Sequence, residues 1–588
     1  MWKDWVPGLA PGLLDRILGG LLEGCRLVWD GVPWDPTGPL GGPVVEELAA
    51  RVDVWRRSGP LGWRLECVLE ADRALPPGLL DLACAVVFGA PRCRCGSMSS
   101  RGVADLSGWL PGGAPPPTLM PSAEALVRAG TPRMYPVPPL AGAKGEGVVV
   151  GEVQVPGSRR PVHLPARDRS RHVYVVGATG TGKSTLLYNM IVQDMEAGRG
   201  VGLIDPHGDL FLRVLRAVPP GRAAEVTIVD PTDFGHVPGV NLLEVSGPRP
   251  DIQKGFVVNE MIRIFDRLYD LRTTGGPIFE QYMRNALLLA LNARDHRATL
   301  MDVCRVFESS AYRHRLMERC TDPEVTRFWR DQAEATGGDA ALHNLTPYVT
   351  SKLNQFTHNP LLRPIVGQAR STVDFRGLMD RGNILLVNLP KGILGDLDAR
   401  LLGMILMGKI FQAGLARASR PEGRRRPFHL FVDEFQNFST ETASHMLSEA
   451  RKFGLCLVLA NQSLQQIGQY AAPGQALAGA GGVLPAVLGN AGNLVVFRTG
   501  PLDAPHLAPF VGPTVGGQDL QHLPDFHAVV RLLANGTPLP PFVVRTRPPA
   551  SPSDAVACAR AIRRLSRRRY TRPRAEVEAE LREFAATG

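Results

Sequence analysis

The sequence predicts an α/β protein: a mainly parallel sheet, an all-helical insert within that sheet, and a separate small N-terminal domain. Three observations predict it. Short apolar runs alternate with helical periodicity between residues 172 and 230, the pattern of a parallel sheet flanked by helices. Strand signals then vanish from about Pro250 to Asp380 and return afterwards. Seven of the eight tryptophans lie before residue 110, a composition shift that separates the start of the chain from the rest.

The elements follow in order. A chain of 588 residues suggests about three or four domains. Residues 1–110 hold the tryptophans and one stretch, EELAARVDVWRR, with the periodicity of an amphipathic helix. A small aromatic core explains these tryptophans better than a ligand surface. Residues 111–145 carry APPPT and PVPP and read as an extended linker. The stretch 146–250 opens with strands GVVVGEVQV and RPVHLPA, then strand HVYVV, a helix, strand VGLID, a helix from HGDLFLRVLRAV, and strand EVTIVD. Residues 251–380 form the insert, with helical periodicity in FEQYMRNALLLALNAR and TRFWRDQAEA. Strands NILLVNL, HLFVDEF, LCLVLANQ and NLVVFRTG return within 381–550. Residues 551–588 join a basic run to an acidic amphipathic helix, whose charges read first as a solvated face.

Composition narrows the class. Hydrophobic content of 44% and charged content of 21% fit a globular protein with a large core. The net charge of +10 fits a nucleic-acid or acidic-membrane partner, or simply no such partner. The stretch MWKDWVPGLAPGLLDRILGGLLEG is broken by proline, glycine and charge, so it does not read as a signal peptide. The run LACAVVFGAP is far shorter than the roughly 20 residues of a spanning helix, and no transmembrane segment is predicted. The nine cysteines are scattered. Cys93 and Cys95, with Cys84 nearby, are a weak zinc signal, and the cysteines read better as free thiols in a reducing compartment.

The chemistry sits at strand ends. Gly177, Ala178, Thr179, Gly180, Thr181, Gly182, Lys183 and Ser184 satisfy G-x-x-x-x-G-K-[ST] between a strand and a helix. Glycines let backbone N–H groups turn inward around phosphate oxygens, and the helix beginning at Lys183, Ser184 and Thr185 adds its positive end. Lys183 would reach the β- and γ-phosphates of ATP, and the Ser184 hydroxyl would bind Mg²⁺. HLFVDEF ends in Asp433, placed to hold Mg²⁺, and Glu434, placed to polarise the attacking water. The adjacent acids favour an ATPase with an additional strand between its two nucleotide motifs. Gln462, after the next strand, can sense the γ-phosphate. Arg498 in LVVFRTG can stabilise transition-state charge in its own subunit or a neighbour's, with Arg451 and Lys452 as competing candidates. Asp205 and His207 in LIDPHGDL face the nucleotide side, although a turn shaped by Pro206 and Gly208 explains them nearly as well. The chain has neither an LSGGQ-like signature nor an N-K-x-D guanine reader, which argues against an ABC transporter subunit and a small GTPase.

The expected fold is therefore a RecA-like P-loop ATPase. The chain resembles the TraG/TraD-like type IV secretion coupling ATPases, within the HerA/FtsK group of ring-shaped motors. The resemblance rests on RHVYVVGATGTGKSTLL, GLIDPHGDL, GPIFEQYMRNALLLAL, GNILLVNLPKGILG, FVDEFQNFSTETASHMLSEARKFGLCLVLANQSLQQI and GNAGNLVVFRTGPLDA. It extends into LSRRRYTRPRAEVEAEL and spans about residues 145–580. It implies a homo-hexameric ATPase using ATP and Mg²⁺ to move or recruit DNA during conjugation. Relaxosome or secretion-channel proteins would be its partners. Lys183 and Ser184 match the family's phosphate-loop residues, Asp433 and Glu434 its Mg²⁺ aspartate and catalytic glutamate, Gln462 its sensor, and Arg498 its arginine. Membrane-anchored members begin with transmembrane helices, which this reading does not find here. The expected location is cytoplasmic, with partners holding the chain at the inner face of the membrane. Two other functions stay open: an ATPase energising protein secretion, and a nucleotide-gated recruitment platform.

Overall fold

The computed structural model describes residues 147–586 apart from 156–157, 246–249, 335–337, 468–482, 514 and 550–554, together with five short strands nearer the N-terminus. Those five strands form one antiparallel sheet, in the order Val32–Pro33, Cys25–Trp29, Trp63–Ala71, Ala104–Leu110, Arg94–Cys95. The helix expected in EELAARVDVWRR and the linker expected over 111–145 lie outside the described residues.

The large sheet has eleven strands. They are β1 (Val148–Val155), β2 (Ser158–Leu164), β3 (Val173–Val176), β4 (Gly200–Asp205), β5 (Val226–Val229) and β6 (Ile384–Asn388). The others are β7 (Phe428–Val432), β8 (Leu455–Asn461), β9 (Asn493–Val496), β10 (His527–Arg531) and β11 (Phe542–Arg545). Their spatial order is β5-β6-β4-β7-β8-β3-β9-β10-β11-β1-β2. From β5 to β9 neighbouring strands are parallel, and from β9 to β2 they are antiparallel. Seven parallel strands therefore deliver their C-terminal ends to one edge, where ligands of open α/β sheets bind. The strand preceding the glycine loop, β3, lies between β8 and β9: Val176 is opposite Asn461 on one side and Val496 on the other.

The parallel strands read as unbroken apolar runs because both faces are covered. On β3, Val173 and Val175 face one core cluster while Tyr174 and Val176 face the other. Period-two alternation thus sends successive side chains to different cores. The first core is roofed by α1 (Lys183–Glu196) and α2 (Asp209–Ala217). Arg169, fully buried just before β3, donates to both oxygens of Asp194 on α1 at 2.7 Å. This pair locks the helix after the glycine loop to the strand before it. Burial opposes the Asp194 charge, but Arg169 and its neighbours win and hold that carboxyl below the usual range.

Between β5 and β6 the described elements longer than two residues are helices. The chief ones are α3 (Pro250–Tyr269), α4 (Gly276–Asn292), α5 (Leu300–Glu308), α6 (Ser310–Arg319) and α7 (Gly338–Thr357). Their core gathers aromatic edges. Trp329 is fully buried against Tyr282, Phe307 and Phe328, and its indole N–H donates to the Asn285 carbonyl at 3.3 Å. After β6 comes α8 (Asp396–Ala416). The stretch Asp396–Ser419 could cross a membrane by length and composition alone, but 72% of its most apolar window is buried inside this protein. It packs against α3 and serves as the spine joining the helices to the sheet.

The C-terminal segment is two helices, α9 (Ala555–Tyr570) and α10 (Arg574–Ala586). Arg572–Pro573, between them, pairs with His236–Val237. Pro573 has no N–H for a helix and restricts Arg572 to extended backbone, so the helix stops there. The basic run is partly committed. Arg563 pairs with Asp230 at 3.0 Å, Arg567 pairs with Asp233, and Arg569 donates to the Ala224 carbonyl. Ser566 accepts the Ile228 N–H at 2.8 Å and so satisfies part of the edge strand β5. Among the described residues Cys304, Cys320, Cys456 and Cys558 are free thiols.

Candidate nucleotide-binding site

The loop from Gly177 to Gly182 leaves β3 and enters α1. Gly177 and Gly182 have φ of +158° and +117°. A Cβ on Gly177 would lie 2.5 Å from Phe497, and one on Gly182 about as close to Phe526 as 3.0 Å. Backbone conformation and close packing together require glycine at both. Thr181 is buried, and its hydroxyl donates back to the Ala178 carbonyl at 2.7 Å. Thr179 and Gly180 are exposed at the loop tip, and Thr185 is half-buried in the first turn of α1. The Lys183 ammonium curls over the loop and donates to the carbonyls of Gly177 (2.6 Å) and Ala178 (3.0 Å). Burial lowers its pKa, against the raising effect of Glu434 and Asp433.

Asp433 and Glu434 stand at the tip of β7, two strands from β3. The strand between is β8, as expected from the adjacent acids, and it carries Asn461 and Gln462 at its end. The Ser184 hydroxyl lies 3.4 Å from Asp433 Oδ2. Asp433 is buried, and its carboxyl pKa is pushed up to about 6, first by desolvation and then by the charges of Asp205 and Glu434, which outweigh Lys183. A buried acid beside two others, facing a serine hydroxyl, is short of positive charge. That oxygen set fits Mg²⁺, which takes carboxylate and hydroxyl ligands and leaves other positions for phosphate and water. Among the described residues no group of three or more His, Cys, Asp or Glu forms a metal cage, so such an ion would rely on substrate oxygens.

Glu434 is held by amides. Gln462 Nε2 donates to its Oε1 at 2.7 Å, and Gln436 Nε2 donates to its Oε2 at 2.5 Å. Gln436 in turn accepts from Asn461, and Asn437 Nδ2 donates to the Glu434 carbonyl at 2.9 Å. The other end of Gln462 accepts from the Thr179 hydroxyl at 3.0 Å. A continuous path therefore runs from the loop tip through Gln462 to the carboxylate. Glu434 has φ +49°, the left-handed region, in which a glutamate stays only where its surroundings hold it. Gln436, Asn437 and Asn461 were not singled out by motif. The signal lay in FQN directly after the acids and in the asparagine before Gln462.

The remaining candidates lie elsewhere. Asp205, at the tip of β4, accepts the backbone N–H groups of His207 (2.9 Å) and Phe211 (2.8 Å). Both its oxygens are engaged by the turn and the start of α2, the alternative that Pro206 and Gly208 suggested. His207 is exposed. Arg451 and Lys452 are exposed before the start of β8, at the opposite end of that strand from Gln462. Arg498 follows β9. Its carbonyl accepts the Ala178 N–H at 2.7 Å, and its guanidinium pairs with Asp525 at 2.7 Å and donates to the Leu523 carbonyl at 3.2 Å.

Fold and loop together define a P-loop unit of RecA-like architecture. Comparison with known proteins places it further. Residues 148–233 match the family described as the central domain of the helicase HerA. In structure the chain is similar to the plasmid coupling protein TrwB in complex with ADP and Mg²⁺, at 19% identity over 75% of this chain and 95% of that one, with a TM-score of 0.50. It is also similar to the unbound monoclinic form of the conjugative coupling protein TrwB (19% identity, 73% and 92% covered, TM-score 0.49). VirB4 of Thermoanaerobacter pseudethanolicus is similar at 14% identity, with 70% and 98% covered and a TM-score of 0.45. No curated protein matches the chain in sequence. At these identities the likeness is one of fold.

Proposed function

We propose that the chain is an ATP-hydrolysing motor that translocates or couples DNA in a conjugative, type IV secretion-like transfer system. The observation that carries the reading is the path from Thr179 through Gln462, which ties the tip of the phosphate loop to the Glu434 carboxylate. The HerA-type match, the fold shared with a coupling protein and the net charge of +10 support the DNA side of the reading.

In this mechanism Lys183 exchanges the carbonyls of Gly177 and Ala178 for phosphate oxygens of ATP. Ser184 and Asp433 would hold Mg²⁺, which would supply neutralisation of the phosphate charge. Glu434 takes the proton of the attacking water, kept in line by Gln462 and Gln436. Because Gln462 touches both Thr179 and Glu434, a change at the loop tip reaches the base through one side chain. Energy released in a ring of six subunits would drive loops that grip phosphates, so DNA contacts would be salt-sensitive and sequence-independent. Arg498, released from Asp525, or Arg451 of an adjacent subunit would supply the transition-state charge. The chain would work on the cytoplasmic side of the membrane, held there by channel or relaxosome partners.

Steady-state ATP hydrolysis with and without DNA, beside Glu434→Gln, tests this. DNA-stimulated turnover that the variant loses supports the motor. DNA-indifferent turnover that still requires Glu434 points to a protein-secretion energiser. No turnover in either condition points to a nucleotide-gated platform.

A further inference from the structure

The two flanks of β3 carry different chemistry. Asp433, Glu434 and Gln462 stand on the β7–β8 side. On the other side, β9, β10 and β11 bring the loop before β10 against the glycine loop. The Phe526 N–H donates to the Thr181 carbonyl at 2.8 Å. The Phe526 carbonyl accepts from the Thr546 N–H (2.8 Å) and hydroxyl (3.1 Å). Arg498 fastens the same loop through Leu523 and Asp525.

Phe526 is so pinned in a conformation that does not suit it. Its φ is +63°, a region that asparagine or glycine adopts readily and an aromatic residue avoids. Its ring reaches Gly182, yet the residue remains 45% exposed. A large apolar ring is thus held beside the phosphate loop, open to solvent, on a backbone that favours other residues. Strain kept at such a place points to use.

We propose that Phe526 is the platform on which the base of the nucleoside triphosphate stacks. The inference rests on the nucleotide reading above. A triphosphate whose terminal phosphate is directed to Glu434 and Gln462 would extend its sugar and base away from the β7–β8 side, toward the flank on which Phe526 is fastened to Thr181. Every nucleobase has a π-face, so the contact adds affinity without reading base identity.

The test uses the full chain and compares Mg·ATP with Mg·tripolyphosphate by calorimetry, in the wild type, Phe526→Asn, Phe526→Tyr and Lys183→Ala. Asparagine tolerates the positive φ while removing the ring, and tyrosine keeps the ring. Stacking of this kind corresponds to roughly a 5- to 150-fold change in affinity. Phe526→Asn should weaken ATP by that factor, leave tripolyphosphate unchanged, and be rescued in Phe526→Tyr. Equal ATP affinity in Phe526→Asn and wild type overturns the proposal alone. Equal loss of both ligands overturns it too, since the ring would then only pack the loop. Wild type binding neither ligand, like Lys183→Ala, overturns the nucleotide reading and this inference with it.

Discussion

The β7–β8 flank of the phosphate loop is buried and amide-locked, whereas the β9–β11 flank is more open, held by backbone bonds, by side-chain bonds from Thr546 and Arg498 to carbonyls, and by the exposed Arg498–Asp525 ion pair. On the first, Glu434 receives a side-chain amide on each oxygen. On the second, Arg498 and Asp525 meet with 39% and 54% of their side chains exposed. The difference fits the work proposed for each side. Proton transfer and charge stabilisation need fixed groups away from water, whose dielectric would weaken them. Stacking a base needs only a flat apolar face, which tolerates solvent at its rim.

Substitutions should separate the flanks by size of effect. Glu434→Gln should lower turnover by about 10²- to 10⁴-fold, the span of general base catalysis, while Mg·ATP binding persists. Loss of binding in that variant would mean that the carboxylate builds the pocket.

Asp433 comes next. Its folded pKa of about 6 lies above the ordinary aspartate value of 3.8. The folded chain therefore holds that proton more tightly, and the stability this contributes is present below pH 4 and lost as pH rises through 6. A shift of this size corresponds to about 3 kcal/mol as an upper figure. Asp433→Asn should thus raise the melting temperature at pH 7.5 in chelator and change it little at pH 4. Mg·ATP should bind the wild type more weakly at pH 5 than at pH 7.5, because the protonated acid is a poor cation ligand.

Gln462→Ala should lower turnover about 10- to 100-fold, the worth of a hydrogen bond to a charged acceptor, with little change in ATP affinity. A purely structural role would instead show as a fall in melting temperature with turnover preserved. The smallest effect belongs to the exposed pair. Asp525→Asn should change ATP affinity by no more than about fivefold, since surface ion pairs contribute about 0–1 kcal/mol. A larger loss would show that the open flank is as tightly built as the closed one.

The closed flank was legible in the sequence for a physical reason. Strand tips of a parallel sheet converge, so an apolar run ending in a polar residue announces both the strand and the group it presents. Asp433, Glu434 and Gln462 follow this rule, as does the extra strand between the two motifs, whereas Lys183 was found through the glycine motif that opens α1. The amides behind Glu434 lay within the same segments but carried no pattern of their own. The open flank was legible only at β9 and Arg498. Phe526 meets Thr181 only because β10 and β11 continue the sheet antiparallel, and the runs HAVVR and FVVR were not distinguished from ordinary apolar stretches. Asp205 shows how one residue can satisfy two readings: its strand-tip position suits a nucleotide contact, while its oxygens serve backbone N–H groups two and six residues on. The basic run before Pro573 likewise read as a solvated face, although Arg563 and Arg567 are tied to Asp230 and Asp233 by contacts more than 300 residues apart in the chain.

The most direct test of the two-flank account is photolabelling of the full chain with an ATP analogue that carries its reactive azide on the base, followed by peptide mapping. The account predicts label in the segments around Phe526 and Thr546, displaced by ATP and absent in Lys183→Ala. Displaceable label concentrated between Asp433 and Ile467 would place the base on the flank assigned to hydrolysis and contradict it.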